Sequence, residues 1–211
     1  EAEVSKGCKI LYLESPTNPT VKIIDLERLV QAGHKAGAIV IVDNTFATPI
    51  NQNPLQMGAD LVLHSATKFL GGHADALGGV ICGSTSLVEQ VYHFREINGA
   101  TLHPMAAYLL LRGMKTLHLR IWQQNESALK IARFLETHPG IDRVFYPGLE
   151  SHENHAIARR QMRGFGGMLS FMLRENSLAA VSRFLPRLRF AHAAANLGAV
   201  ETIVGPPATT S

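Results

Sequence analysis

The run "AIVIVDNTFATPINQNPLQMGADLVLHSATKFLGGH", Ala38 to His73, decides the fold. It opens on a continuous apolar stretch that closes in an acid, Asp43. One helical turn, "NPLQMG", leads to a second apolar stretch, "ADLVLHS", which closes in Ser65. Lys68 and the glycines Gly71 and Gly72 follow at once. Short apolar runs without alternation predict strands covered on both faces, mostly parallel. Upstream, "CKILYLES" (Cys8 to Ser15) is a strand of the same kind, broken by the prolines of "PTNPT". Between them, "DLERLVQAGHKAG" carries Leu26, Leu29, Val30 and Ala36 near helical spacing, with Asp25 as N-cap and Gly37 as stop. Downstream, "GGVICG" is a fourth strand. The chain therefore reads as α/β. In such sheets ligands collect beyond the C-terminal strand ends, where Ser15, Asp43 and the segment from Ser65 to Lys68 all fall.

Further along, residues from Ser84 to about His138 read as one long helix joining two domains, terminated by Pro139-Gly140. After Pro147-Gly148 the pattern changes to a strand ("GGMLSFML"), a helix ("SLAAVSRFLPRL") and a further strand ("RFAHAAANLG"). This predicts a smaller α+β domain. Trp122, the only tryptophan, is expected in the core.

The 211 residues are 46% hydrophobic and 18% charged, enough to bury a sizeable core. The net charge is +3, and the basic residues are scattered, which argues against nucleic acid as a partner. The densest basic piece, "RFLPRLR", alternates with apolar residues and reads as a solvated helix face. Two cysteines, Cys8 and Cys82, in apolar strand-like contexts make no disulfide framework and suit a reducing cytoplasm. No run reaches the roughly 20 apolar residues of a membrane span, and no signal peptide is visible. The chain begins at Glu1 and stops at "PPATTS", so it is expected to be a portion of a longer protein.

The strand ends carry the chemistry. Asp43, in a dry position, needs a partner: either a structural cap or ion pair, or a cationic nitrogen of a bound ligand. A buried lysine becomes a usable nucleophile or base. Around Lys68 stand the hydroxyls of Ser65 and Thr67, suited to phosphate oxygens, and glycines that permit close backbone approach. A lysine for an aldehyde, an acid for a ring nitrogen and donors for a phosphate match pyridoxal 5'-phosphate.

The sequence resembles the cysteine/methionine-metabolism (trans-sulfuration) family of pyridoxal-phosphate enzymes. The matching pieces are "ESPTNP" (14–19), "VDNTFATP" (42–49), "NPLQMGADLVLHSATKFLGGH" (53–73), "LRGMKTLHLR" (111–120), "RQMRGFGGMLSF" (160–171) and "LGAVETIVGPPATTS" (197–211). Within the family, "SATKFLGGHADALGG" and "GATLHP" are most like cystathionine γ-synthases. Cystathionine γ-lyases, methionine γ-lyases and homoserine sulfhydrylases are close alternatives, and a non-catalytic scaffold is one of another class.

The resemblance implies the fold of type I pyridoxal-phosphate enzymes. Residues 1–125 would be the later part of the large cofactor domain, with the start of the linking helix. Residues 126–211 would be most of the small domain. It implies Lys68 as the Schiff-base lysine and Asp43 as the acid at the pyridine nitrogen. Ser65 and Thr67 would lie on the phosphate and Thr45 against the ring, with Asn18 near the phenolic oxygen and the substrate carboxylate. The implied reaction is γ-replacement of an O-acyl- or O-phospho-homoserine with cysteine, in a cytoplasmic homotetramer whose dimers share active sites.

Relatives also carry a preceding region that supplies a phosphate cradle and a stacking tyrosine, and a C-terminal arginine for the substrate carboxylate. Neither is within these residues, so the segment alone is not expected to turn over. Asn196 stands before "LG" where many relatives have serine, and is expected to bear on substrate preference.

Other candidates are weaker. His152 and His155 in "SHENH", with Glu153 between them, suggest a metal pair or, more simply, a solvated helix start. His64 and His73 flank the lysine and are further candidates for the site. "GFGG" (Gly164 to Gly167) precedes a strand, which favours a tight turn over a phosphate loop. Arg112 and Arg120 read as interface or salt-bridge residues.

Overall fold

The computed structural model describes residues 1–207; residues 208–211, the end of the "LGAVETIVGPPATTS" piece, lie outside the described residues. The chain runs through Ile10–Glu14 (β1), Leu26–Lys35 (α1), Ile39–Asp43 (β2), Thr48–Asn51 (α2), a 3-10 turn at Pro54–Met57, Leu61–Ser65 (β3) and Gly79–Gly83 (β4). These strands form one sheet in the order β1-β2-β3-β4. The first two pairings are parallel, and β4 runs antiparallel to β3. The register sets Glu14 beside Asp43 and Asp43 beside Leu63, so β1 and β2 end together and β3 runs two residues further, to Ser65.

Local chemistry explains α1. The Asp25 carboxylate accepts from the Arg28 amide at 3.3 Å, filling one of the donors that a helix start leaves open. Gly37, at φ +76°, supplies the left-handed residue past the helix end. Leu26 and Val30 then pack with Leu13, Val40, Val42, Ala59 and Val62 on one face of the sheet. Each such buried aliphatic side chain stabilises the fold by about 1.5–3 kcal/mol. Gly33 lets the helix lie close, since a Cβ there would stand 2.7 Å from Val40 Cγ2. The opposite face differs from the expectation of cover on both sides: Ile10, Tyr12 and Ile39 are exposed there.

The expected single helix is three: Thr85–Asn98 (α3), Pro104–Met114 (α4) and Leu117–Glu136 (α5). Left-handed Gly99 ends α3. His103 then caps the new start, its Nδ1 accepting from the Met105 amide at 3.2 Å, with Pro104 in the first turn. A second core joins Phe46, Ala66, Phe69 and Leu70 to Leu110 of α4 and to Leu117 and Ile121 of α5. Trp122 is not in it. Adjacent helical residues point about 100° apart, so burying Ile121 turns Trp122 outward, 63% exposed.

Beyond α5, Ile141–Phe145 (β5) pairs antiparallel with Ser170–Leu173 (β6), with His155–Gln161 (α6) between them. "GFGG" is the turn before β6, with Gly166 at φ +85°. Leu178–Phe184 (α7) passes into a 3-10 turn, Leu185–Arg187, where Pro186 prevents continuation of the α-helix. Arg183, Arg187 and Arg189 are exposed there. The last expected strand shrinks to His192–Ala193 (β7), paired with Ile203–Val204 (β8). The rest of "RFAHAAANLG" is a loop that folds back onto Lys68. Among the described residues no helix is long and apolar enough to cross a membrane.

Candidate active site

Beneath the strand ends lies a buried amide network. Gln52 Nε2 donates to Ser15 O (2.9 Å) and to Asn44 Oδ1 (2.8 Å), and Asn44 Nδ2 donates to Gln52 O (2.9 Å). Gln161 Nε2 reaches Gln52 Oε1 at 3.0 Å from α6. Ser15 and Asn44 each follow a strand directly, so this network fixes where β1 and β2 stop. Buried polar groups satisfied in this way rigidify their surroundings.

Above it opens a cleft of about 290 Å³ lined by Glu14, Asn18, Asp43, Thr45, Phe46, Ser65, Lys68, Ala195 and Leu197. Five of the seven residues expected at the site, Asn18, Asp43, Thr45, Ser65 and Lys68, thus face one space. The other two, Thr67 and Asn196, line an adjoining cleft of about 390 Å³ that shares Lys68.

Each group has defined company. The Asp43 carboxylate is half-buried rather than dry. Its Oδ1 accepts from the Thr45 amide at 2.9 Å and its Oδ2 from the Tyr12 hydroxyl at 3.2 Å. The Thr45 hydroxyl oxygen accepts from the Ser65 amide at 2.8 Å, tying β2 to β3 across the cleft. Lys68 Nζ donates to Asn196 Oδ1 at 3.1 Å. The Thr67 hydroxyl oxygen accepts from Gly78 N at 3.1 Å and donates to Gly78 O at 3.3 Å.

Two features hold the lysine. Gly198, at φ +82°, lies against it: a Cβ there would meet Phe69 N at 2.6 Å and Lys68 C at 2.8 Å. Among the described residues Arg120 faces carbonyls rather than a carboxylate. Its guanidinium donates to the carbonyls of Phe69 (2.8 Å), Leu70 (3.4 Å) and Gly113 (2.8 Å), just past the lysine. Gly72 leaves room for it, since a Cβ would stand 2.1 Å from Arg120 Nη1. Arg112 is exposed on α4.

The histidines separate. His64 is 5% exposed on β3, its Nδ1 without a hydrogen-bond partner among the described residues. Burial pushes its imidazole pKa down, against the pull of Asp43. It does not line either cleft. His73 is on an exposed loop and donates from Nδ1 to Gly71 O at 2.8 Å. His152 is buried rather than solvated, while His155 begins α6 and donates from Nδ1 to Pro147 O at 2.8 Å. Among the described residues no three metal-ligating side chains gather.

Besides Ala195 and Leu197 of the returning loop, two cleft residues, Phe46 and Glu14, and a residue bonded to Asp43, Tyr12, are not among those expected from the sequence patterns. Phe46 supplies an apolar wall. Glu14 lines the cleft beside Asp43, and burial first, then Asp43, raises its carboxyl pKa. Tyr12 touches Asp43 from the neighbouring strand. The signal for Glu14 was present, since it ends its apolar run as Asp43 does.

A sheet whose strand ends gather a lysine, an acid and hydroxyls defines a small-molecule site of the α/β class. Comparison with known proteins makes this specific: the family described as Cys/Met metabolism PLP-dependent enzyme matches residues 1–211, and the chain belongs to that family. It is 49% identical over 206 residues to cystathionine gamma-synthase 1, chloroplastic, of Nicotiana tabacum, covering 98% of this chain and 38% of that protein. It is 46% identical over 209 residues to cystathionine gamma-lyase of Bacillus subtilis (strain 168), covering 99% of this chain and 55% of that protein. The fold matches cystathionine gamma synthase from Xanthomonas oryzae pv. oryzae, solved in complex with aminoacrylate and cysteine. The TM-score is 0.96 at 41% identity, over 99% of this chain and 54% of that one. The chain thus spans between 38% and 55% of the length of these relatives.

Proposed function

We propose that the chain is the lysine-bearing portion of a pyridoxal-phosphate enzyme with the type I fold, acting by γ-replacement on an O-activated homoserine with cysteine. The observation that carries this is the shared cleft: Lys68 and Asp43 face one space at the C-terminal strand ends, in a chain of this family. The donor set fits the cofactor, with a primary amine, a carboxylate already held at both oxygens, and two hydroxyls. In this reading residues 1–125 belong to the large domain and 126–211 to the small one.

When bound, pyridoxal phosphate supplies an aldehyde and an electron-withdrawing ring. Lys68 Nζ would hold the aldehyde carbon and, as a free amine, take a proton from the substrate α-carbon and return it elsewhere. Asp43 would keep a proton on the ring nitrogen by charge. Ser65 and Thr67 would donate to phosphate oxygens, the 3.3 Å contact to Gly78 O being the one Thr67 gives up. Thr45 and Phe46 would bound the ring, and Asn18 would lie near the phenolic oxygen. Asn196 would release Lys68 and bind the substrate carboxylate together with Asn18. A homotetramer of dimers with shared sites, in the cytoplasm, completes the proposal.

The test uses the complete protein. With O-succinylhomoserine, cystathionine should form when cysteine is present and exceed 2-oxobutanoate. Dominant 2-oxobutanoate would instead favour the γ-lyase reading, which the similarity to the Bacillus subtilis protein keeps open. Lys68→Ala should lose both turnover and the visible cofactor band. A complete protein that stays colourless with added pyridoxal phosphate would refute the proposal and leave a scaffold.

A further inference from the structure

The cleft has a supporting strand that the proposed reaction does not use. On β1, Tyr12 and Glu14 are two residues apart and so point to the same face. Glu14 stands in register with Asp43, and Tyr12 with Ile41. Glu14 itself lines the cleft. The Tyr12 hydroxyl donates to Asp43 Oδ2, while the Thr45 amide holds Oδ1. A carboxylate bonded at both oxygens cannot rotate freely about its last torsion, and its remaining lone pairs keep a fixed aim.

We infer that β1 carries a positioning residue of the cleft, Tyr12, which aims the Asp43 carboxylate. This rests on the reading of the cleft as a pyridoxal-phosphate site. Tyr12 lies outside the cleft lining and does not touch the reacting atoms. Tyr12 sets the orientation of the acid through its hydroxyl, so the ring can remain while the effect is lost. Tyr12 is 55% exposed, which places its bond at the weaker end of such interactions.

The experiment titrates the complete apoprotein with pyridoxal phosphate, following the visible absorption band and its pH dependence, for wild type and Tyr12→Phe. Melting of each apoprotein serves as the check of folding. Losing one supporting hydrogen bond should weaken binding about threefold and shift the pH dependence of the band, with the melting midpoint unchanged. A lowered midpoint with the pH dependence of the band unchanged, or no change in either affinity or band, overturns the inference. A wild-type protein that binds no cofactor refutes the proposed function as well. An unchanged Y12F beside a binding wild type refutes only the role of Tyr12.

Discussion

Gly198→Ala tests whether the returning loop and the lysine form one unit. Two costs add at this position. A residue with a Cβ at φ +82° is held in the left-handed region, at about 1–2 kcal/mol. The new methyl would also stand 2.6 Å from Phe69 N, 2.8 Å from Lys68 C and 3.1 Å from Lys68 Cα. All three are main-chain atoms, so no side-chain rotation relieves the contact, and overpacking of this kind costs about 1–3 kcal/mol. The sum is about 2–5 kcal/mol, released either by detaching the loop or by shifting Lys68. The control is Gly37→Ala, at φ +76° with nothing within 4 Å of the added methyl, which carries the first cost alone. Both variants of the complete protein are compared by thermal unfolding and by pyridoxal phosphate affinity. G198A should be the less stable by about 1–3 kcal/mol and should lose affinity, while G37A should keep it. Equal stabilities with equal affinities would show that the loop does not press on the lysine, and the reasoning would fail.

Arg120→Lys should cost about 1–3 kcal/mol, because an ammonium cannot span the three carbonyls that the guanidinium fork reaches; thermal unfolding measures it, and an unchanged midpoint would refute the clamp. Asp25→Ala removes the α1 cap and the 2.5 Å contact with Arg160, and should cost about 1–2 kcal/mol by denaturant unfolding. His64 has a pKa below its ordinary value, so the unfolded chain binds its proton more readily than the folded one. Stability from this group is therefore fully present above about pH 6.5 and is lost as pH falls from there through the lower folded-state pKa. His64→Phe should flatten the decline in unfolding midpoint between about pH 7 and pH 5. The buried His152, shifted the same way, remains in both proteins, and matching slopes would refute the assignment to His64.

Much of the architecture was legible because it is local. The apolar runs at Ile39–Asp43 and Leu61–Ser65 identify themselves as strands by composition, and Asp25 and Gly37 mark the ends of α1 by capping chemistry. The strand-end rule then brings Asp43 and Lys68 together without any long-range information. Where a local pattern runs on, glycines, prolines and packing interrupt it. The apolar spacing from Ser84 to His138 is continuous, but Gly99 and Pro104 divide it, and Lys115 and Thr116 bond back to Arg112 O and Gly113 O in the turn before Leu117. Trp122 was placed by residue type, whereas burial on α5 is decided by which side Ile121 must take.

The α/β class, the cofactor chemistry and the family are legible in residue order, because the lysine, the acid and the hydroxyls lie at strand ends within one 26-residue span from Asp43 to Lys68. What holds them is a matter of packing. Asn196 reaches Lys68 across 128 positions, Tyr12 reaches Asp43 across 31, and Arg120 reaches the carbonyl of Phe69 across 51. No periodicity encodes such contacts, because they arise from strand register and chain return, which are properties of the whole packed chain.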